Sequence, residues 1–129
     1  RILESRLPEL TGHWWERLCR DAVTGNTIKG ITYSEARRWW GQVKIDGAFK
    51  DVELDIVAES LDGKHILIGE CKWTSSENGR LLTNNILKIV DALPFTKGKS
   101  VVVVLFTKVK PIDDIGNAIL PEEVIKLSY

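Results

Sequence analysis

The sequence predicts a mixed α/β domain, with a central sheet of four to five strands flanked by helices in the order helix, three-strand meander, helix, strand. Three observations carry this expectation. Ser100-Val101-Val102-Val103-Val104-Leu105-Phe106 is an unbroken run of strand length, rich in β-branched residues, as a strand buried on both faces and paired in parallel requires. Two shorter apolar runs, Glu53 to Ala58 and Ile66 to Trp73, flank a polar turn at Asp62-Gly63. The segment ahead of them carries its apolar residues at helical spacing.

From Leu10 to Val23, the residues Trp14, Trp15, Leu18, Cys19, Ala22 and Val23 fall on one helical face, with Thr11 as the N-cap and Gly25 as the stop. Glu16 lies at the border of that stripe. It either leans over the sheet or pairs with Arg20 one turn on. The stretch 25–30 reads as a connection. The segment Ile31 to Ile45 contains the aromatic pair Trp39-Trp40 and a strand that ends at an Asp46-Gly47 hairpin turn. Asp51 to Ser60 and His65 to Trp73 then complete an antiparallel meander. Asn78 to Leu93 is predicted helical, with Leu81, Leu82, Asn85, Ile89 and Leu93 near one face and Pro94 beyond it. The last segment, 118–129, holds a short strand and a turn of helix around Pro121-Glu122-Glu123.

A length of 129 residues allows one domain, 1–129, with a real core. Hydrophobic residues at 43% and charged residues at 28% describe an ordinary globular chain. No apolar run approaches the roughly 20 residues of a membrane span, and no signal peptide opens the chain, so a cytoplasmic location is expected. Two cysteines are too few for a disulfide framework, and Cys19 and Cys71 read as small buried hydrophobes. With His13 and His65 they lack the paired spacing of a zinc site. There is no methionine, a starting one included, which reads as a piece of a longer chain.

Net charge is zero, so no global field announces a nucleic-acid partner. The charges are nonetheless segregated. Between Asp46 and Glu70 seven acids face only Lys50 and Lys64, whereas from Lys72 to Lys110 seven bases face only Glu77 and Asp91. An acidic centre beside a basic half suits a metal site next to a phosphate track. Within the acidic centre, Asp55, Glu70 and Lys72 interrupt strands that should be uniformly aliphatic, and charges removed from water normally pair or bind metal. Strand alternation places Glu70 and Lys72 on one face with Ile66 and Ile68. If the two strands are neighbours, Asp55 reaches the same spot. Two carboxylates for a hard divalent cation, with an ammonium beside them, suit phosphodiester hydrolysis.

An acid in the first helix, an Asp in the second strand of a meander and Glu70-Cys71-Lys72 in the third, followed by helix and strand, resemble the PD-(D/E)XK nuclease superfamily, the restriction-endonuclease-like fold. Leu54-Asp55 stands where that superfamily's name has proline and aspartate. Longer strings, Trp14-Trp15-Glu16-Arg17-Leu18, Arg38-Trp39-Trp40-Gly41, Glu53-Leu54-Asp55-Ile56-Val57-Ala58 and Gly69-Glu70-Cys71-Lys72-Trp73, look like the domain of unknown function at the C-terminus of archaeal-type P-loop ATPases. This likeness spans roughly Leu10 to Phe106. It implies an N-terminal ATPase domain ahead of this one; no Gly-x-x-x-x-Gly-Lys-Ser/Thr loop occurs here, so this segment does not itself bind ATP through a P-loop. It further implies that Asp55, Glu70 and the Cys71 carbonyl bind Mg²⁺ or Mn²⁺, that Lys72 orients water or offsets phosphorane charge, and that Glu16 assists directly or through water. Glu53 is an additional carboxylate on the face of Asp55.

The tryptophans are read as packing residues, with base stacking as the alternative and Trp73 furthest from any substrate. The expected function is metal-dependent hydrolysis of DNA by a nuclease-like domain attached to an ATPase. The alternative is a catalytically silent module of the same fold that binds nucleic acid or regulates the ATPase. A third reading, a structural domain with a solvated salt network, ranks below both. A homodimer is compatible with the sequence.

Overall fold

The computed structural model describes residues 2–128, and side chains over 12–128. The first helix, α1, spans Ile2–Val23. It therefore starts well before Leu10, and Thr11 lies inside it rather than capping it; the Thr11 side chain is outside the described residues. A small hairpin of β1 (Thr27–Ile28) and β2 (Ile31–Thr32) follows, so the segment Ile31 to Ile45 holds β2 as well as the strand expected to end at Asp46-Gly47. The long strands are β3 (Arg37–Ile45), β4 (Ala48–Glu59) and β5 (His65–Lys72). They form the expected antiparallel meander. Asp46 and Gly47 both take positive φ, 52° and 80°, as a two-residue turn matched to the twist of its strands requires.

Helix α2 spans Gly79–Leu87 and is capped by Asn78, whose side chain accepts from the Leu81 N–H at 2.8 Å. It is shorter than expected, and a 3₁₀ turn at Val90–Ala92 takes up the remainder. Its buried face is Gly79, Thr83 and Ile86, not the Leu81 side, because the loop 111–114 packs against Gly79. The chain then enters β6 (Ser100–Thr107), β7 (Ala118–Ile119) and α3 (Pro121–Ser128).

The sheet order is β3-β4-β5-β6-β7, with β5, β6 and β7 parallel. Burial follows from that order. On one face Trp15, Cys19, Ala22 and Val23 of α1 and Val124 of α3 pack on Ile56, Ala58, Leu67, Val104 and Phe106. On the other, Ile86 and Leu93 pack on Val43, Leu54 and Ile68, with Val101 and Val103 beside them. Strand β6 thus meets apolar partners on both sides, as its aliphatic run predicts. No helix among the described residues is long and apolar enough to cross a membrane.

Two features set the frame for the acids. The Trp15 indole N–H donates to the Phe106 carbonyl at 3.0 Å, and its ring lies 4.8 Å from that of Trp73. Helix α1 is thereby pinned across the C-terminal ends of β5 and β6. Gly69, immediately before Glu70, sits where a Cβ would approach Phe106 to 3.0 Å and Ile56 to 3.1 Å. Gly69→Ala is expected to lower stability by about 1–3 kcal/mol through overpacking, read as a reduced urea midpoint with an unchanged slope.

Candidate active site

The pairing of β3 with β4 shifts by one residue: Trp39 lies opposite Leu54 but Arg37 opposite Val57, so Asp55 and Ile56 share the single partner Arg38. This is a β-bulge, and a bulge re-aims side chains and ends regular pairing. The apolar partners show the same slip, since Leu54 and Val57 join one core cluster while Ile56 joins the other. The β4–β5 ladder stops at Ile56 and Gly69. Beyond it, the Asp55 side chain takes the place of backbone: Oδ2 accepts the Cys71 N–H at 2.9 Å. The Asp55 main-chain carbonyl accepts from Arg20 of α1 at 3.4 Å. Arg20 therefore holds helix to bulge instead of pairing with Glu16, whose near neighbour is His13 Nδ1 at 3.7 Å.

On β5, strict alternation keeps Glu70 and Lys72 side by side, with Lys72 Nζ 3.6 Å from Glu70 Oε1. Cys71 between them turns to the α1 core, where it and Cys19 are buried free thiols. The hydrogen bond with Cys19 and then burial push the Cys71 thiol far up, so its backbone rather than its sulfur is the group available to a cation.

The electrostatics follow from burial of several acids together. Desolvation raises the Asp55 carboxyl from 3.8 to about 7; the Cys71 N–H opposes this, and the nearby Glu70 and Glu16 reinforce it. Desolvation also raises Glu70, against the lowering effect of Lys72, with Glu16 and Glu77 adding negative charge. The fold thus brings Glu16, Asp55, Glu70 and Lys72 into one electrostatic neighbourhood. Among the described residues, however, no three His, Cys, Asp or Glu side chains gather closely enough to hold a metal ion by themselves. Two carboxylates and a main-chain carbonyl, with water to complete the sphere, would suit a hard cation such as Mg²⁺, which keeps several waters. Glu53 does not join it, being ion-paired to Arg38.

Sequence reasoning missed Arg20 and Arg38. The run Ile56-Val57-Ala58 breaks the apolar–polar alternation next to Asp55, and that break was the available signal of a bulge. Lys108 was counted only as a base. It lies over the Trp73 ring at 5.6 Å, and its N–H donates to the Lys72 carbonyl at 3.2 Å.

The chain belongs to the family DUF234, archaeal and bacterial proteins of unknown function, whose family model matches residues 1–85. That match includes Glu16, Asp55, Glu70, Cys71 and Lys72. No curated protein and no solved structure matches the chain.

A carboxyl with a raised folded pKa favours the neutral form in the fold, so its contribution is full below the unfolded value near 3.8 and is lost as pH rises through about 7. In chelator, the melting temperature is expected to fall across that window. Asp55→Asn should flatten the fall and melt higher than the parent at pH 7.5, as thermal scans over pH will show.

Proposed function

We propose that this member of the family is a metal-dependent phosphodiesterase domain that acts on DNA. The observation that carries the reading is the pair Asp55 and Glu70, two half-buried carboxyl groups brought together by the bulge within β4 and the C-terminal end of β5, each raised in pKa by desolvation. Such an arrangement is costly in a domain that does not use it, and perturbed carboxyls of this kind collect at functional sites. A bound divalent cation would remove the mutual repulsion; there it supplies charge that polarises a phosphodiester and acidifies water.

The chain's own groups have separable tasks. Asp55 Oδ2 is held by the Cys71 N–H, which orients the carboxylate. Glu70 and the Cys71 carbonyl complete the oxygen donors. Lys72 cannot be a ligand while protonated. Its ammonium is placed beside Glu70 to meet a phosphate oxygen and stabilise charge as it develops. Glu16, delivered by the Trp15-anchored helix, is the acid best placed to position a water. The element order and the Glu-x-Lys spacing resemble the PD-(D/E)XK superfamily, and the longer strings resemble domains that follow P-loop ATPases. Both likenesses favour DNA as substrate and an ATPase as fused partner.

A catalytically silent role keeps one specific observation in its favour: Asp55 and Glu70 already have partners in the Cys71 N–H and Lys72. Kinetics with Lys72→Met separates the two. Mn²⁺ affinity by calorimetry should survive or rise, because a competing cation is gone. Cleavage of plasmid DNA should fall by about a hundredfold or more. Asp55→Asn should weaken Mn²⁺ binding while retaining the fold. Equal cleavage by parent and Lys72→Met, with a lower melting temperature for the variant, would assign Lys72 to a structural salt bridge.

A further inference from the structure

The face of the β3–β4 hairpin that α1 leaves uncovered continues directly from Asp55. Alternation divides the two adjacent tryptophans of β3. Trp39 turns inward, edge-on to Phe95 with centroids 5.4 Å apart, and its ring lies against Gly41 so closely that a Cβ there would meet it at 2.9 Å. Trp40 turns outward and is 74% exposed. Register sets Trp40 opposite Glu53, Gln42 opposite Asp51 and Lys44 opposite Phe49, all on this outer face. Phe49 is 69% exposed, with the Lys44 ammonium 5.9 Å from its ring centroid. On the outer face of the paired strands an open depression of about 650 Å³ is lined by Arg38, Trp40, Gln42, Asp51 and Glu53 among others.

We propose that this depression is a nucleobase subsite for single-stranded DNA, in which Trp40 stacks on an unpaired base whose strand continues to Asp55. The proposal rests on the reading of Asp55, Glu70 and Lys72 as a phosphodiester site. Three features select this occupant. Exposed aromatics at intervals on one sheet face, here Trp40 and Phe49 with the Lys44 ammonium beside them, are the pattern by which proteins hold single strands. The floor carries hydrogen-bonding groups suited to a base edge: the Asp51 carboxylate accepts from an exocyclic amine, and the Gln42 amide both donates and accepts. Glu53 is neutralised by Arg38, which removes one negative charge from the path of a phosphate. The spacing also fits. Trp40 is level with Glu53, two residues from Asp55, a separation of about 7 Å along the strand, within the reach of one nucleotide. A base on Trp40 therefore places an adjoining phosphate near the carboxylates and Lys72. Asp51 at the base edge predicts that cytosine, with its amino group, is preferred over thymine.

The test measures binding of fluorescein-labelled oligo(dC), oligo(dT) and an abasic strand of equal length to the 129-residue chain in chelator, so that neither metal nor cleavage enters. Trp40→Ala should weaken oligo(dC) binding about 5- to 150-fold, the loss of one stacked base, and Trp40→Phe should restore most of it. The abasic strand should bind parent and Trp40→Ala equally weakly, and Asp51→Asn should narrow the preference for dC over dT. Thermal scans confirm that the exposed substitution leaves the fold intact. Equal affinity of Trp40→Ala and parent for oligo(dC), or of the abasic strand and oligo(dC) for the parent, overturns the subsite. Failure of the parent to bind any strand also overturns it and leaves the face to a protein partner. Trp40-dependent binding without any Mn²⁺ binding would count against the catalytic reading and leave the subsite standing.

Discussion

The site depends on one substitution of side chain for backbone: the Asp55 carboxylate accepts the Cys71 N–H where the β4–β5 ladder would otherwise continue. That bond satisfies a donor left over by the bulge and fixes a carboxylate at the end of β5. It also brings Asp55 within electrostatic range of Glu70. Arg20 then ties the same bulge to α1, and the Trp15 indole ties α1 to β6. Three elements distant in sequence are therefore locked around one acid. Were Asp55 a regular strand residue, its carboxylate would extend a face already set by alternation, and the link between β4, β5 and α1 would be missing.

The location has a topological cause. β5 is the strand at which pairing changes from antiparallel with β4 to parallel with β6. The C-terminal end of β5 lies at that change, with β4 on one side and β6 on the other. Here Glu70, Cys71 and Lys72 occupy that end of β5, and Lys108 emerges at the end of the neighbouring β6. The bulge in β4 and the end of β5 admit charges that the aliphatic middle of the sheet excludes. The aliphatic middle, Leu67 and Ile68 beside Val104 and Leu105, is almost fully buried and keeps those ends rigidly spaced.

Much of this was legible in the sequence because burial leaves period and composition as its record. The β-branched run of β6, the Asp-Gly turn and the amphipathic C-terminal half of α1 read directly, as did the pairing of Glu70 with Lys72. What was not legible depends on contacts between distant residues. Both β1–β2 and the early start of α1 are outside any strong apolar period. The buried face of α2 was misread because Gly79 and Thr83 pack against the loop 111–114 and Asn117, partners that no local pattern reveals. The bulge at Asp55 depends on the register with β3, so Arg38, Arg20 and the neutralised Glu53 could not be placed from β4 alone. The tryptophans divided: Trp15 is 1% exposed, whereas Trp14 and Trp40 are largely in solvent. Composition does not distinguish those roles; strand and helix phase does.

Asp55, Glu70 and the Cys71 carbonyl are proposed to form one cation site. A crystal of the chain soaked in Mn²⁺ and measured for anomalous scattering tests this directly. The account predicts a single strong peak at about 2.0–2.6 Å from an oxygen of each of the three residues, with Glu16 at its edge and the Asp55 to Cys71 N–H bond retained. A soaked crystal with no peak between β4 and β5, or with Mn²⁺ held elsewhere while Lys72 alone neutralises Glu70, would contradict it.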